Sequence, residues 1–202
     1  MQIGLDDDSS LDNITFQNKP LVFYGTSITQ GGCASRPGLV HTNIISRKLG
    51  NECINLGFSG NGHLESSIGK IMSDIDASLY VVECMYNVDK EMIHERIKPL
   101  INAIRANPKS KNTPIVFMEQ AVIDMGHLNT EFISSVMEKN EELNKQIQGS
   151  IREGERDLFI IKHTGAIDDD SEATVDGIHF NDLGFQRYAD HFLKNVKGLD
   201  IL

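Results

Sequence analysis

The sequence predicts a three-layer α/β/α sandwich built on a five-stranded parallel sheet. Five short apolar runs, nearly continuous and rich in β-branched residues, have the character of strands covered on both faces. Helix-period segments separate them, and the order βαβαβαβαβα implies right-handed crossovers with helices on both sides of the sheet. The length of 202 residues suits a single hydrophobic core.

Residues 1–19, with Asp6 to Asp8 followed by Ser9 and Ser10, are polar and aperiodic, and read as a tail or a linker from a preceding domain. The domain itself is expected over 20–202. Its strands are LVFY (21–24), CINL (53–56), LYVVEC (79–84), PIVFME (114–119) and LFIIK (158–162). Leu39, Val40, Ile44, Ile45 and Leu49 recur at the helical period after the first, as do Leu64, Ile68, Ile71, Met72 and Ile75 after the second. Met92, Ile93, Ile97, Leu100, Ile101 and Ile104 do so after the third, and a fourth helix is expected within 129–152. The last follows Asn181, with Leu183, Tyr188, Ala189, Phe192 and Leu193 inward.

A formal net charge of −10 without a Lys/Arg cluster argues against nucleic acid as a partner and against a membrane-surface module. No apolar stretch approaches the roughly 20 residues that span a bilayer. The start MQIGLDDDSS has no export-signal character, which leaves the compartment open, secretion or the periplasm included if a leader has been removed. Cys33, Cys53 and Cys84 are odd in number and lack metal spacing, so no disulfide framework, metal or other cofactor is expected. They read as small buried residues near strand ends.

In an open parallel sheet, ligands gather at the carboxyl ends of the strands, so the loops there hold the candidate chemistry. After the first strand comes Gly25-Thr26-Ser27-Ile28-Thr29-Gln30-Gly31-Gly32. Such a turn exposes a serine hydroxyl and frees backbone N–H groups, but it equally suits a structural or phosphate-cradling loop; no Lys-Ser/Thr follows to make a Walker motif. After the second strand, NLGFSGNG (55–62) supplies three glycines that let a backbone N–H approach a ligand. After the third, Asn87 offers an uncharged carboxamide, while Asp89 is the better cap for the next helix. Before the last helix, Asp176-Gly177-Ile178-His179 lets a carboxylate orient an imidazole three residues on. His41, His63, His94, His127, His163 and His191 lack such an arrangement and read as surface or satisfied core residues, although His63 follows the glycine-rich turn.

Taken in order, these four blocks resemble the SGNH hydrolases, or GDSL-type esterase/lipase superfamily, over about residues 21 to 195. The resemblance implies a flavodoxin-like hydrolase fold and a serine esterase working without metal or cofactor. It implies Ser27 as nucleophile, Asp176 and His179 completing a catalytic triad, and an oxyanion hole made by the backbone N–H groups of Ser27 and Gly60 with the side chain of Asn87. Thr26 stands where the name-giving motif has Asp, and Cys84-Met85-Tyr86 replaces the glycines that commonly precede the asparagine, which predicts a narrower or altered pocket. Arg36 and Glu119 are further candidates for substrate contact. The longer stretches YGTSITQGGCASRPG, INLGFSGNG and ATVDGIHFNDLGF resemble a bacterial subgroup in which the hydrolase domain often follows an N-terminal β-rich domain, as in carbohydrate esterases. The expected partner is a small-molecule or saccharide ester, with acetyl the favoured acyl group. An acyltransferase, a lysophospholipase-like acylhydrolase and a non-catalytic carbohydrate- or anion-binding module are the alternatives.

Overall fold

The computed structural model describes residues 4–10, 16, 18–122 and 129–201. Parallel strands β1 (Leu21–Gly25), β2 (Cys53–Gly57), β3 (Leu79–Glu83), β4 (Ile115–Met118) and β5 (Leu158–Ile161) form one sheet in the order β2-β1-β3-β4-β5. This is the doubly wound order in which the chain first steps to one side of β1 and then to the other, opening a crevice at the strand ends there. The register places Gly25 opposite Gly57 on one side and Glu83 on the other. Three of the four candidate loops therefore leave the sheet side by side.

The helices are α1 (Ser27–Gln30), α2 (His41–Leu49), α3 (Ser66–Ser73), α4 (Lys90–Arg105), α5 (Thr130–Arg152) and α6 (Asp182–Gly198). Alternate strand residues feed two cores. Leu21, Phe23, Leu79, Val81 and Val116 pack with α2 and α6, whereas Val22, Tyr24, Tyr80, Val82 and Phe117 pack with α3, α4 and α5. Both faces of the central strands are covered, which is why those runs are apolar throughout. Each fully buried Leu, Ile or Phe side chain contributes roughly 1.5–3 kcal/mol, so these two layers supply most of the driving force. Edge strand β2 differs from the expectation: four of its five residues are only partly buried and Asn55 is exposed, because one side has no neighbouring strand.

The helix patterns are found with local corrections. Leu64 is buried but precedes α3 with φ 61°, and Ile71 is exposed. Leu183 is also exposed; Phe185, two residues and about 200° further round α6, takes the inward position. Asp89 caps α4 as predicted, its carboxylate accepting from Met92 N at 2.8 Å. Cys84 is buried beyond β3, whereas Cys33 and Cys53 are only partly buried. Among the described residues no helix is long and apolar enough to cross a membrane.

Candidate active site

From Leu21 to Thr29 every residue is buried except Ser27. The backbone explains this. Thr26 N-caps α1, its hydroxyl accepting from Ile28 N at 3.3 Å, and Ser27 opens the helix with its side chain outward. Gly25 is needed because a Cβ there would lie 2.0 Å from Thr29 Oγ1; Gly31 closes the turn at φ +90° against Val40. The small residues of GTSITQG are thus places of close approach around one exposed hydroxyl.

The loop after β2 packs directly on this turn. A Cβ on Gly57 would lie 2.1 Å from Gln30 N, and one on Gly62 would lie 2.4 Å from Gly25 O. Asn55 donates to Thr29 O at 2.6 Å, and Ser59 N donates to Gln30 Oε1 at 3.0 Å. Gly60 is different: it adopts φ +67° with no atom within 4 Å of a would-be Cβ, so it faces open space. Asn87 Nδ2 donates to Asn61 O, which brings the third block against the second and leaves one amide hydrogen for another acceptor.

His179 reaches the same turn from before α6. Its Nε2 lies 3.0 Å from Ser27 Oγ, and its Nδ1 lies 2.7 Å from Asp176 Oδ2. The other carboxylate oxygen accepts from the backbone N–H of His179 at 2.7 Å and of Ile178 at 2.9 Å. Desolvation pushes the Asp176 carboxyl up, but these hydrogen bonds and the imidazole outweigh it and hold the pKa down at about 2. With Asp176 ionised, Nδ1 carries the imidazole proton and Nε2 is the acceptor for the Ser27 hydroxyl. The arrangement can deprotonate a serine and return the proton to a leaving group.

Cys84 and Met85, which replace the glycines, are buried in the core, whereas Tyr86 is partly exposed. The Tyr86 ring meets Phe180, the neighbour of His179, edge-on at 6.2 Å, and its hydroxyl accepts from Ala121 N at 3.3 Å. Burial raises that phenol's pKa, so it stays neutral. Lys139 Nζ donates to Met85 O at 3.0 Å beneath the same loop. Burial lowers this lysine to about 8, against the opposing pull of Asp89.

Other expectations resolve as follows. Glu119 is buried and already engaged by Lys162, Asn144 and the backbone of His163. Arg36 precedes a short 3₁₀ turn, Pro37–Leu39, and lies near Asp182. His94 meets Glu142, His191 meets Lys162 O, and His63 sits 3.8 Å from Glu65; His127 lies outside the described residues. Clefts of about 310 Å³, lined by Lys90, His94 and Glu142, and about 470 Å³, lined by Glu119, Asn144 and Lys162, involve none of the Ser27, Asp176 or His179 side chains. Among the described residues no group of His, Cys, Asp and Glu is arranged to hold a metal ion.

Sequence reasoning missed a buried cluster under the Ser27 turn. Glu83 Oε2 accepts from Thr29 Oγ1 at 2.8 Å and lies 2.9 Å from His41 Nε2. The signal was an acidic residue inside the apolar run LYVVEC, at the end of a strand covered on both faces.

A model of the GDSL-like lipase/acylhydrolase family matches residues 18–197. The chain belongs to that family. Among solved structures, a GDSL-like lipase candidate from Bacteroides ovatus ATCC 8483 is 31% identical with a TM-score of 0.89, over 96% of this chain and 58% of that one. A salicylyl acyltransferase from a tetracycline biosynthetic pathway shares the fold at 18% identity and a TM-score of 0.83, over 98% of this chain and 59% of that one. A family two carbohydrate esterase from Clostridium thermocellum, solved with cellohexaose, does so at 15% identity and a TM-score of 0.68, over 95% of this chain and 68% of that one. This GDSL-like chain therefore spans somewhat under three fifths of the first two. These comparisons give no support to a preceding β-rich domain. No curated protein matches the sequence.

Proposed function

We propose that this GDSL-like protein is a serine esterase that removes small acyl groups, acetyl foremost, from polar alcohols such as carbohydrates. The observation that carries the reading is the continuous chain from Ser27 Oγ through His179 to Asp176, with links of 3.0 and 2.7 Å.

Ser27 Oγ attacks the ester carbonyl as His179 Nε2 takes its proton. The tetrahedral oxyanion is met by the backbone N–H groups of Ser27 and Gly60 and by the free amide hydrogen of Asn87. The carbon–oxygen bond to the alcohol then breaks, and the imidazolium returns the proton to the departing oxygen. Water, deprotonated by His179, attacks the acyl-enzyme and releases the acid while Ser27 regains its proton. Asp176 keeps the imidazole in the required tautomer and stabilises its charged form. Tyr86 against Phe180 closes the ground beside His179, which supports a small acyl group over a long chain.

Labelling with a fluorophosphonate followed by peptide mass spectrometry tests the assignment. A single adduct on Ser27, lost in Ser27→Ala, is expected; an unlabelled Ser27 would sink the proposal. Acetylated sugars compared with short and long aryl esters then rank the substrates, with turnover expected to fall as the acyl chain lengthens.

A further inference from the structure

The buried cluster beneath Ser27 has no place in the proton transfers just described, yet it holds the turn that delivers the nucleophile. Glu83 is the last residue of β3, 4% exposed, and His41 at the start of α2 is fully buried. His41 stacks on Phe185 at 5.8 Å and meets Tyr188 edge-on at 5.2 Å, so aromatic packing fixes its ring. The Tyr188 hydroxyl faces the Glu83 carboxylate, whose Oε1 lies outside hydrogen-bond geometry with any described group. His41 Nδ1 is likewise without a partner among the described residues.

Such a cluster is a costly way to stabilise a core. Polar groups buried with unmet hydrogen-bonding capacity cost free energy, and replacing a buried ion pair with well-packed apolar side chains is often neutral or stabilising. What the cluster does is local to one residue. Thr29 is gripped twice: Glu83 on β3 takes its hydroxyl at 2.8 Å, and Asn55 on β2 takes its carbonyl at 2.6 Å. Thr29 lies two residues after Ser27, in the single helical turn that carries both the Ser27 hydroxyl and its backbone N–H. The absent side chain of Gly25 makes room for the Thr29 hydroxyl, because a Cβ there would lie 2.0 Å from Thr29 Oγ1 and 3.0 Å from Glu83 Cβ.

We propose that Glu83, fixed by His41, is a positioning residue for the nucleophile: through the Thr29 hydroxyl it sets the orientation of the α1 turn, and with it the Ser27 Oγ and N–H. The inference rests on the esterase reading. A four-residue helix cannot hold its own geometry, since a single turn is unstable without outside contacts. The grip on Thr29 supplies that contact at the sheet end nearest the chemistry. Misplacement by about 1 Å costs on the order of a hundredfold in rate, so a modest tilt is enough to matter.

The test compares Thr29→Val, which keeps the shape and removes the hydroxyl, with Thr29→Ser, which keeps the hydroxyl. Thermal melting, kcat and KM for a short aryl ester and the rate of fluorophosphonate labelling are measured for both and for the wild type. Thr29→Val should melt within a few degrees of wild type, keep KM within about twofold, and lose about ten- to a hundredfold in kcat and in labelling rate. Thr29→Ser should recover most of that loss, and Glu83→Leu, which has no acceptor for the Thr29 hydroxyl, should slow labelling as Thr29→Val does. A Thr29→Val protein with wild-type kcat overturns the proposal, as does an equal loss in both Thr29 variants, which would make the hydroxyl irrelevant. Unfolding of Thr29→Val also overturns it, because the contact would then serve stability alone. The esterase reading fails separately, by wild-type turnover in Ser27→Ala or by no labelling of the wild type.

Discussion

The Ser27 turn and the Asp176–His179 loop meet at one hydrogen bond, yet they are held in opposite ways. Ser27 rides on a turn enclosed by buried residues and fastened from both neighbouring strands, by Asn55 and Glu83, with Gly25 admitting the Thr29 side chain and Gly57 and Gly62 admitting backbone. Asp176 and His179 lie in a partly exposed loop, their side chains 50% and 32% accessible, and the carboxylate is oriented by N–H groups two and three residues away. That loop is closed by the Thr174–Phe180 bridge and sits on α6 where Gly184 admits the Ala173 carbonyl. The comparison teaches that the proposed base is arranged mainly by its own sequence, whereas the proposed nucleophile is arranged by tertiary neighbours. Loss of the imidazole should appear chiefly in rate, and loss of the close glycine contacts around the Ser27 turn in stability as well.

The largest expected effect is that of His179→Ala, which removes the proposed base but disturbs only a partly exposed loop. Hydrolysis of a short aryl ester should fall by at least about a thousandfold, with the melting temperature nearly unchanged. A large loss of stability would show that the loop is not self-sufficient. Asn87→Ala should cost about a hundred- to a thousandfold in kcat, the usual worth of one oxyanion donor at roughly 3–4 kcal/mol. If Asn87→Ala keeps full turnover, its carboxamide only ties Asn61.

The next contrast lies within the glycine loop. Gly62 and Gly60 share positive φ, at +76° and +67°, but a Cβ on Gly62 would meet the Gly25 carbonyl whereas one on Gly60 would meet nothing. Urea denaturation should show Gly62→Ala losing about 3 kcal/mol or more, and Gly60→Ala only the roughly 1–2 kcal/mol of left-handed backbone strain. Equal losses would mean that the loop does not press on the nucleophile turn.

The smallest effect concerns pH. The Asp176 carboxyl is held at about 2, against an ordinary value near 4. A depressed carboxyl contributes stability that is fully present above its unfolded value and is lost as pH falls through the folded one. Melting temperatures between about pH 4 and pH 2 should therefore drop less steeply for Asp176→Asn than for wild type. Identical slopes would deny the carboxylate its hydrogen bonds.

Legibility followed the same division. Asp176-x-x-His179 could be read directly because both partners and the turn between them lie within four residues. Ser27, Gly60 and Asn87 lie near strand ends that the alternation of apolar runs and helical patterns places, but the roles expected of them came from the resemblance of the ordered blocks to the GDSL-type family. Glu83 and His41 were not found: they are 42 residues apart, and no local pattern pairs them. Leu183 and Leu64 were misplaced because one apolar residue at a helix start does not reveal the phase of the buried face.

The sequence by itself determined the order of strands and helices, the two-sided cover of the sheet and the local union of Asp176 with His179, because periodicity and short-range hydrogen bonding are written in neighbouring residues. Only the tertiary structure decided which strands flank β1, and therefore that Asn55 and Glu83 would close on Thr29 from opposite sides and that His179 would come within 3.0 Å of Ser27. Those contacts join residues far apart in the chain, and they exist only once the sheet has brought its strand ends together.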